Sequence, residues 1–256
     1  MDYTLLDRSD LVDYLFYPRP DNRKPPRGSF DLEVLVEPDL PVVCRAFPGK
    51  PEQPWILYFH GNGETAADYN EIAPYYNRQG LSLLVADYRG YGLSSGTPDF
   101  STMVSDAQAI LKAARSELPA RGYRHDFWVM GRSLGSISAL ELAFRFPEAL
   151  RGVIFESGFI SVAELVNHLG LPSPGNMVEL DRECLKMAEA VLIPALVIHG
   201  KEDTLVPLTQ GKRLYEHLGS VKKELRTIPG AGHNDLFLTG RRVYLEAVLK
   251  FVEETS

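Results

Sequence analysis

The stretch from residue 126 to residue 136, DFWVMGRSLGS, constrains the fold of this chain more than any other. An apolar run typical of a β-strand ends at Met130, a Gly-x-Ser-x-Gly turn follows, and a segment compatible with a helix runs over residues 137–145. A serine on such a turn is held in a strained backbone conformation that exposes its hydroxyl above the sheet. The flanking glycines allow the strand and the helix to approach closely. The pattern makes Ser133 a candidate nucleophile, and the simpler alternative is a glycine-bounded helix start capped by a serine.

Apolar runs and helix-compatible segments alternate along most of the chain. Strands are predicted at residues 30–36, 42–47, 55–59, 81–86, 126–130, 152–155, 195–198 and 224–228. Helices are predicted at residues 65–79, 101–118, 137–145, 207–218 and 236–253. The run at 55–59 is continuously apolar, as expected of a strand buried on both faces, whereas the first two strands should pair antiparallel at the sheet edge. The alternation predicts an α/β fold with a mainly parallel, doubly wound sheet.

Two parts of the chain fall outside this alternation. Residues 1–29 contain an apolar stretch at 11–17 and then a segment rich in Pro, Arg and Lys. We interpret them as an N-terminal extension of a single domain that spans residues 30–256. Residues 159–191 contain two predicted helices, 162–169 and 177–190, on either side of a Pro- and Gly-containing break at 171–175. This insertion follows a strand end, where it can form a small lid, and a structural excursion without a gating role is an equally simple interpretation.

Polar residues that could carry out chemistry follow several predicted strands. In doubly wound sheets, ligands bind beyond the carboxyl ends of the strands, and Ser133, Asp203 and His233 all lie in loops at those ends. A serine hydroxyl needs a base to become nucleophilic, and the base needs an acid that orients it. The order Ser133, Asp203, His233 supplies a nucleophile, an acid and a base. Two rival acids are Glu156, which follows the preceding strand, and Asp235, which lies close to the base in sequence.

Two further loops at strand ends have predicted roles. An oxyanion formed at Ser133 would need N–H donors, for which we select the backbone N–H groups of Leu134 and of Asn62 in the glycine-rich loop HGNGE. An ordinary glycine turn is the alternative interpretation of that loop. In the next loop, Asp87 and Arg89 could pair and fix its conformation.

The composition excludes several classes of function. The net charge of −7 and the isoelectric point near 5.4 argue against a nucleic-acid partner, which requires a clustered positive surface. Cys44 and Cys184 form neither a disulfide framework nor a metal-ligand pattern, and the chain has no Gly-x4-Gly-Lys-Ser/Thr phosphate loop, so we predict no cofactor and no metal. No signal-peptide pattern or apolar stretch of membrane-spanning length is present, which favours a cytoplasmic protein without stable membrane insertion. The sequence does not determine the oligomeric state.

Five short segments together resemble the α/β-hydrolase superfamily, over a region that runs from about residue 30 to the C-terminus. They are HGNGE at 60–64, DYRGYG at 87–92, GRSLG at 131–135, HGKED at 199–203 and GAGH at 230–233. The nearer likeness is to small-lid serine hydrolases that resemble serine aminopeptidases, monoacylglycerol lipases and protein depalmitoylases. The resemblance implies the α/β-hydrolase fold, with Ser133 as nucleophile, Asp203 as acid, His233 as base, and Asn62 and Leu134 as oxyanion donors.

The joint presence of the serine turn, the acid, the base and the oxyanion loop predicts a metal-independent serine hydrolase that cleaves a small-molecule acyl ester or thioester through an acyl-enzyme on Ser133. The resemblance itself is only weakly informative about the substrate. One alternative is an aminopeptidase or amidase, for which Glu64, Glu156, Glu179 or Asp181 could hold the substrate amine. Another is a non-catalytic binding module, since a fold does not determine a function.

Overall fold

The strands of this protein form one mixed sheet in the computed structural model, which describes residues 2–7, 11–171 and 177–256. Within these residues the sheet has eight strands, in the order β1-β2-β4-β3-β5-β6-β7-β8. The strands are β1 Phe30–Glu37, β2 Leu40–Phe47, β3 Trp55–Phe59, β4 Ser82–Ala86, β5 Phe127–Arg132, β6 Gly152–Glu156, β7 Ala195–Gly200 and β8 Lys223–Ile228. Strand β2 pairs antiparallel with β1 and with β4, and the remaining pairs are parallel. The predicted fold class, with its antiparallel edge, is confirmed.

Helices cover both faces of the sheet. They are α1 Thr4–Asp7, α2 Leu11–Leu15, α3 Ala73–Arg78, α4 Phe100–Ala120, α5 Ser136–Arg145, α6 Val162–His168, α7 Met177–Ala190, α8 Leu208–His217 and α9 Leu236–Thr255. Strand β3 shows how the two layers arise, because successive side chains of a strand point to opposite faces. Trp55, Leu57 and Phe59 join one buried cluster, and Ile56 and Tyr58 join the other. This double burial is the physical reason for the continuously apolar run.

The single helix predicted at residues 65–79 is wrong. A 3-10 helix, Ala66–Asn70, is followed by the separate helix α3, in whose first turn Pro74 lies. A proline within a continuous helix would lack the N–H that bonds to the carbonyl four residues earlier, and its ring would clash with that carbonyl. A new helix therefore begins at Ala73, with Pro74 in its first turn.

The described part of the N-terminal 29 residues packs on the body of the protein. Leu6 and Leu11 are fully buried, and the ring of Phe16 meets that of Phe100 edge to face at 5.0 Å. The carboxylate of Asp7 accepts the backbone N–H of Phe100 at 2.8 Å, at the start of α4. Across the described ranges, no helix combines the length and apolarity needed to cross a membrane.

The insertion at residues 159–191 packs through both of its helices. Residues 172–176, most of the predicted break, lie outside the described residues. Helix α6 buries Val162, Leu165 and Val166. Asp181 of α7 accepts hydrogen bonds from the Ser161 hydroxyl at 2.6 Å and from the Ala163 N–H at 3.2 Å. These contacts hold the start of α6 against α7.

Candidate active site

Ser133 lies at the carboxyl end of β5, in a tight turn that leads through the 3-10 helix Ser133–Gly135 into α5. Its φ is +51°, a left-handed conformation that is uncommon for a residue with a side chain. Two glycines make this turn possible. A Cβ on Gly131 would lie 2.3 Å from the Gly135 carbonyl oxygen, and a Cβ on Gly135 would lie 2.2 Å from the carbonyl oxygen of Phe59. Neither position has room for a side chain.

A continuous line of hydrogen bonds joins the three residues of the predicted triad. The Nε2 atom of His233 is 2.9 Å from the Ser133 hydroxyl, and its Nδ1 atom is 2.8 Å from Oδ2 of Asp203. The other oxygen of Asp203 accepts the backbone N–H groups of Leu205 at 3.1 Å and Val206 at 2.8 Å. Asp203 and His233 are both buried. A carboxylate fixed in this way can hold one tautomer and one orientation of the imidazole.

Asp203 is kept ionised by its partners. Burial by itself would raise the pKa of Asp203, but the hydrogen bond and charge of His233 and the N–H of Val206 outweigh burial, and the net pKa lies below its usual range. His199 is also near, with Nε2 3.5 Å from Oδ2 of Asp203. That nitrogen donates to the Val206 carbonyl at 2.8 Å, and burial lowers the pKa of His199. His199 is therefore neutral, and it does not compete with His233 for the hydrogen bond to Asp203.

The two rival acids contact other groups. Glu156 is buried at the end of β6, where it accepts the hydroxyls of Tyr58 at 2.8 Å and Tyr244 at 2.6 Å. Asp235 accepts the backbone N–H of Gly232 at 2.7 Å. Neither carboxylate is hydrogen-bonded to the His233 ring in the structure.

The HGNGE loop that follows β3 lies beside Ser133. Asn62 and Leu134 line the same cavity as the serine. The Asn62 side-chain oxygen accepts the backbone N–H of Tyr17 and the hydroxyl of Tyr91, each at 2.8 Å. Because an N–H can only donate, the amide atom that faces Tyr17 must be the oxygen, which fixes the orientation of this side chain. The contacts with Tyr17 and Tyr91 thus hold the loop in place.

The next loop is fixed by different pairs from those expected. Asp87 and Arg89 do not pair. Asp87 accepts the N–H of Ala66 at 2.7 Å and lies 3.2 Å from Nε2 of His60, which is fully buried. Arg89 instead makes a two-pronged contact with Asp106 of α4, at 2.7 and 2.8 Å. A buried carboxylate with matching geometry is the better partner for a planar guanidinium.

Arg132, the residue before the serine, links the loop after β3 to the loop that carries His233. Its Nη1 atom is 2.8 Å from Glu64 and its Nε atom is 3.3 Å from Glu156. Its Nη2 atom donates to the backbone carbonyl of His233 at 2.9 Å and to the side chain of Asn234 at 3.2 Å. The guanidinium is itself buried. It therefore positions two loops that meet at Ser133.

A mostly apolar cavity of about 320 Å³ opens at Ser133. Helix α6 and the residues after it contribute Val162, Leu165, Leu169 and Leu171, and the loop after β7 contributes Leu205 and Val206. Its other lining residues include Phe100, Phe159 and, from the N-terminal segment, Tyr14, Leu15 and Tyr17. No carboxylate is present among the described residues that line it.

The sequence matches the family described as serine aminopeptidase, S33, over residues 50–178 and 174–237. The chain belongs to this family of α/β hydrolases. It is 34% identical over 208 residues to the uncharacterised protein Rv2307c of Mycobacterium tuberculosis, a match that covers 79% of this chain and 71% of that one. It is 29% identical over 204 residues to human alpha/beta hydrolase domain-containing protein 17B, covering 78% and 66% of the two chains.

Solved structures show the same α/β-hydrolase fold. The esterase Pf2001 of Pyrococcus furiosus superimposes with a TM-score of 0.76 at 18% identity and covers 94% of this hydrolase and 99% of its own chain. The monoacylglycerol lipase of Paleococcus ferrophilus gives a TM-score of 0.67 at 20% identity, with coverages of 84% and 99%.

The sequence did not indicate the part that the N-terminal segment has in this hydrolase. The sequence showed an apolar stretch at residues 11–17, but no motif indicated that Tyr14, Leu15 and Tyr17 would line the cavity at Ser133. The only available signal was that residues 11–17 contain more apolar side chains than one short helix needs for a single buried face.

Proposed function

We propose that this hydrolase cleaves carboxylic esters or thioesters through an acyl-enzyme on Ser133. The observation that carries the proposal is the hydrogen-bonded line from the serine hydroxyl to His233 at 2.9 Å and on to Asp203 at 2.8 Å. These are the distances at which a base can remove a proton from a nucleophile. The positive φ of Ser133 and the glycines around it support the same role.

In the first half-reaction, Oγ of Ser133 attacks the acyl carbon and its proton passes to Nε2 of His233. The tetrahedral intermediate then collapses, the bond to the leaving oxygen or sulfur breaks, and the leaving group takes that proton. In the second half-reaction, His233 removes a proton from water, which attacks the acyl carbon to form a second tetrahedral intermediate. The bond from the acyl carbon to Oγ of Ser133 then breaks, the imidazolium returns the proton to Oγ, and the carboxylic acid is released. Asp203 stays ionised throughout and stabilises the imidazolium.

The negative charge of each tetrahedral intermediate would be stabilised by the backbone N–H groups of Leu134 and Asn62. Both residues line the cavity beside the serine, which supports this assignment. Removing one such donor from an oxyanion hole typically costs about 3 kcal/mol of transition-state stabilisation. The hydrogen bonds that hold the Asn62 side chain suit this role, because preorganised donors need no rearrangement during the reaction.

The cavity favours an ester or thioester over an aminopeptidase substrate. An aminopeptidase requires an anionic group near the nucleophile, but the carboxylates considered for that role have other partners. Glu64 and Glu156 pair with Arg132, Asp181 accepts hydrogen bonds from the start of α6, and Glu179 pairs with Arg182. The apolar lining instead suits the hydrocarbon part of an acyl group. The α6 contribution supports a covering role for the 159–191 insertion.

Intact-mass labelling with a fluorophosphonate tests the proposal. We expect a single adduct on the wild type and no adduct on Ser133→Ala or His233→Ala. Ser138→Ala is the matched control, because this serine is buried in α5 and its hydroxyl has no hydrogen-bond partner in the described structure. The control should react like the wild type. An unlabelled but folded wild type would contradict the mechanism and favour the binding-module alternative. A labelled Ser133→Ala would contradict it by assigning the nucleophile to another residue.

Comparing an aryl ester with an aminoacyl arylamide separates the two enzymatic alternatives. Ester hydrolysis without arylamide hydrolysis is the expected result. Faster turnover of the arylamide would assign the same triad to an aminopeptidase.

A further inference from the structure

The N-terminal segment, residues 11–17, contacts the proposed active site although it lies far from Ser133 in sequence. We infer that this segment forms one wall of the acyl-chain site and sets the chain-length preference of the enzyme. The inference rests on the proposed function, since it concerns the acyl group of a substrate bound at Ser133.

Two buried side chains within the segment hold it in place. Leu11 is fully buried, and Phe16 is buried against Phe100 of α4 with the ring centres 5.0 Å apart. These two side chains lie on either side of Tyr14 and Leu15 in the sequence. The residues between the anchors therefore have a defined position against the body of the protein.

Hydrogen bonds hold the residues that follow the segment. The backbone of residues 19–21 pairs with Gly92 through two hydrogen bonds, from Gly92 N–H to the Arg19 carbonyl and from Asp21 N–H to the Gly92 carbonyl, each 3.0 Å long. Arg19 also donates to the Gly63 carbonyl at 2.8 Å. Asp21 accepts the Thr65 hydroxyl at 3.0 Å and pairs with Arg23. Both ends of the segment are thus fixed, and the second end is fixed to the HGNGE loop.

Between these anchors, three side chains line the cavity at Ser133. They are Tyr14, Leu15 and Tyr17, and the cavity's other apolar residues include those of α6. Tyr14 is 48% exposed and Tyr17 is 59% exposed, so both lie at the rim, whereas Leu15 is half-buried. An acyl chain that extends from Ser133 into this cavity would contact Leu15. Such contacts can discriminate between acyl chains of different length, because each additional methylene that is buried strengthens binding.

The same segment also contacts the proposed oxyanion loop. The N–H of Tyr17 donates to the side-chain oxygen of Asn62, which lines the cavity itself. One short stretch of chain therefore contacts both the hydrocarbon part of the cavity and the loop proposed to stabilise the reacting oxygen. A mere cover over the core would need only the buried faces of Leu11 and Phe16.

The inference is tested by the ratio of kcat/KM for p-nitrophenyl octanoate to that for p-nitrophenyl acetate. Leu15→Trp should fill the cavity and lower this ratio about tenfold, the usual effect of a change in one hydrophobic contact. Leu15→Ala should enlarge the cavity and move the preferred chain length upward, toward the laurate ester. Val12→Ala is the matched control, because Val12 belongs to the same helix and packs against the core without lining the cavity. Its ratio should stay within about twofold of the wild type.

The possible outcomes separate this inference from the proposed function. A uniform loss of kcat/KM for all chain lengths in both Leu15 variants would mean a purely structural role and would overturn the inference. Unchanged ratios in variants that still react with a fluorophosphonate would overturn it as well, with the proposed function intact. A wild type that neither hydrolyses the esters nor reacts with the fluorophosphonate would overturn both.

Discussion

Replacing Arg132 by methionine would remove a buried positive charge and keep an unbranched side chain in its place. Arg132 is 8% exposed and Glu156, one of its two carboxylate partners, is 3% exposed. Breaking a buried ion pair by removing one partner typically costs about 3–5 kcal/mol, because the other charge is left uncompensated. The hydroxyls of Tyr58 and Tyr244 still donate to Glu156. We therefore expect the free energy of unfolding to fall by about 3 kcal/mol at pH 8, the lower end of that range.

The loss should depend on pH with a definite sign. Burial raises the pKa of Glu156 even with Arg132 beside it, and removing the guanidinium would raise that pKa further. An acid whose folded pKa is raised contributes stability that is present below its unfolded pKa, about 4.3, and lost as the pH rises through the folded value. The destabilisation of Arg132→Met relative to the wild type should thus be small near pH 5 and grow toward pH 8. Its steepest slope is about 1.4 kcal/mol per pH unit for one proton.

Urea unfolding at pH 5 and pH 8 measures the effect. Adding Glu156→Gln to Arg132→Met should recover part of the stability at pH 8, because the uncompensated charge is then absent. Arg242→Met is the control, since Arg242 is 83% exposed and its pair with Glu246 on α9 is worth no more than about 0.5 kcal/mol. The reasoning is refuted if Arg132→Met loses the same amount at both pH values, or no more than the control.

Three other substitutions have definite expected outcomes. Asp203→Asn should lower kcat about 10⁴-fold in a protein that still folds, because the amide cannot hold the imidazolium, and ester turnover above a tenth of wild type would rule out its role as the acid. Gly135→Ala should destabilise the protein by about 1–3 kcal/mol, because its Cβ would lie 2.2 Å from a carbonyl oxygen, whereas Gly232→Ala, with its nearest neighbour at 3.4 Å, should leave Tm almost unchanged. The hydrogen bond from Arg23 holds the pKa of Asp21 well below its usual range, so the Tm difference between wild type and Asp21→Asn should be full at pH 7 and shrink below about pH 4; a difference independent of pH would contradict it.

The sheet could be predicted because its strands carry the strongest local signal. A strand buried on both faces must be apolar throughout, and Trp55–Phe59 and Ser82–Ala86 contain almost nothing else. The turn at Ser133 could also be predicted, because its close packing excludes side chains at two positions and only glycine meets that requirement. Parallel topology then brings the ends of β5, β7 and β8 to one edge. For this reason Ser133, Asp203 and His233 meet there, although the first and the last are 100 positions apart in the sequence.

The pairing of side chains could not be predicted in the same way. Asp87 and Arg89 are two residues apart in one loop, yet Arg89 reaches Asp106 on α4. Local proximity is a poor guide because a planar guanidinium selects the carboxylate with matching geometry and burial, wherever the fold brings it. Glu156 shows the same point, since it ends β6 at the sheet edge where Asp203 also lies, yet it accepts the hydroxyls of Tyr58 and Tyr244 and not the His233 ring.

The buried network at Arg132 explains how a site assembled from separate loops stays in one geometry. The proposed nucleophile is on a turn after β5, the proposed base follows β8 and the proposed oxyanion donor follows β3, so no single element fixes their distances. Arg132 contacts Glu64 on one loop and the His233 carbonyl on another, and Glu64 accepts the N–H of Gly61 at 2.9 Å. Replacing such a charged network by apolar packing would often preserve or improve stability. An apolar side chain, however, has no directional contacts with which to hold a carbonyl and a carboxylate at the spacing that electrostatic catalysis requires. A variant in which Arg132, Glu64 and Glu156 are all replaced by apolar side chains should therefore fold well and react slowly.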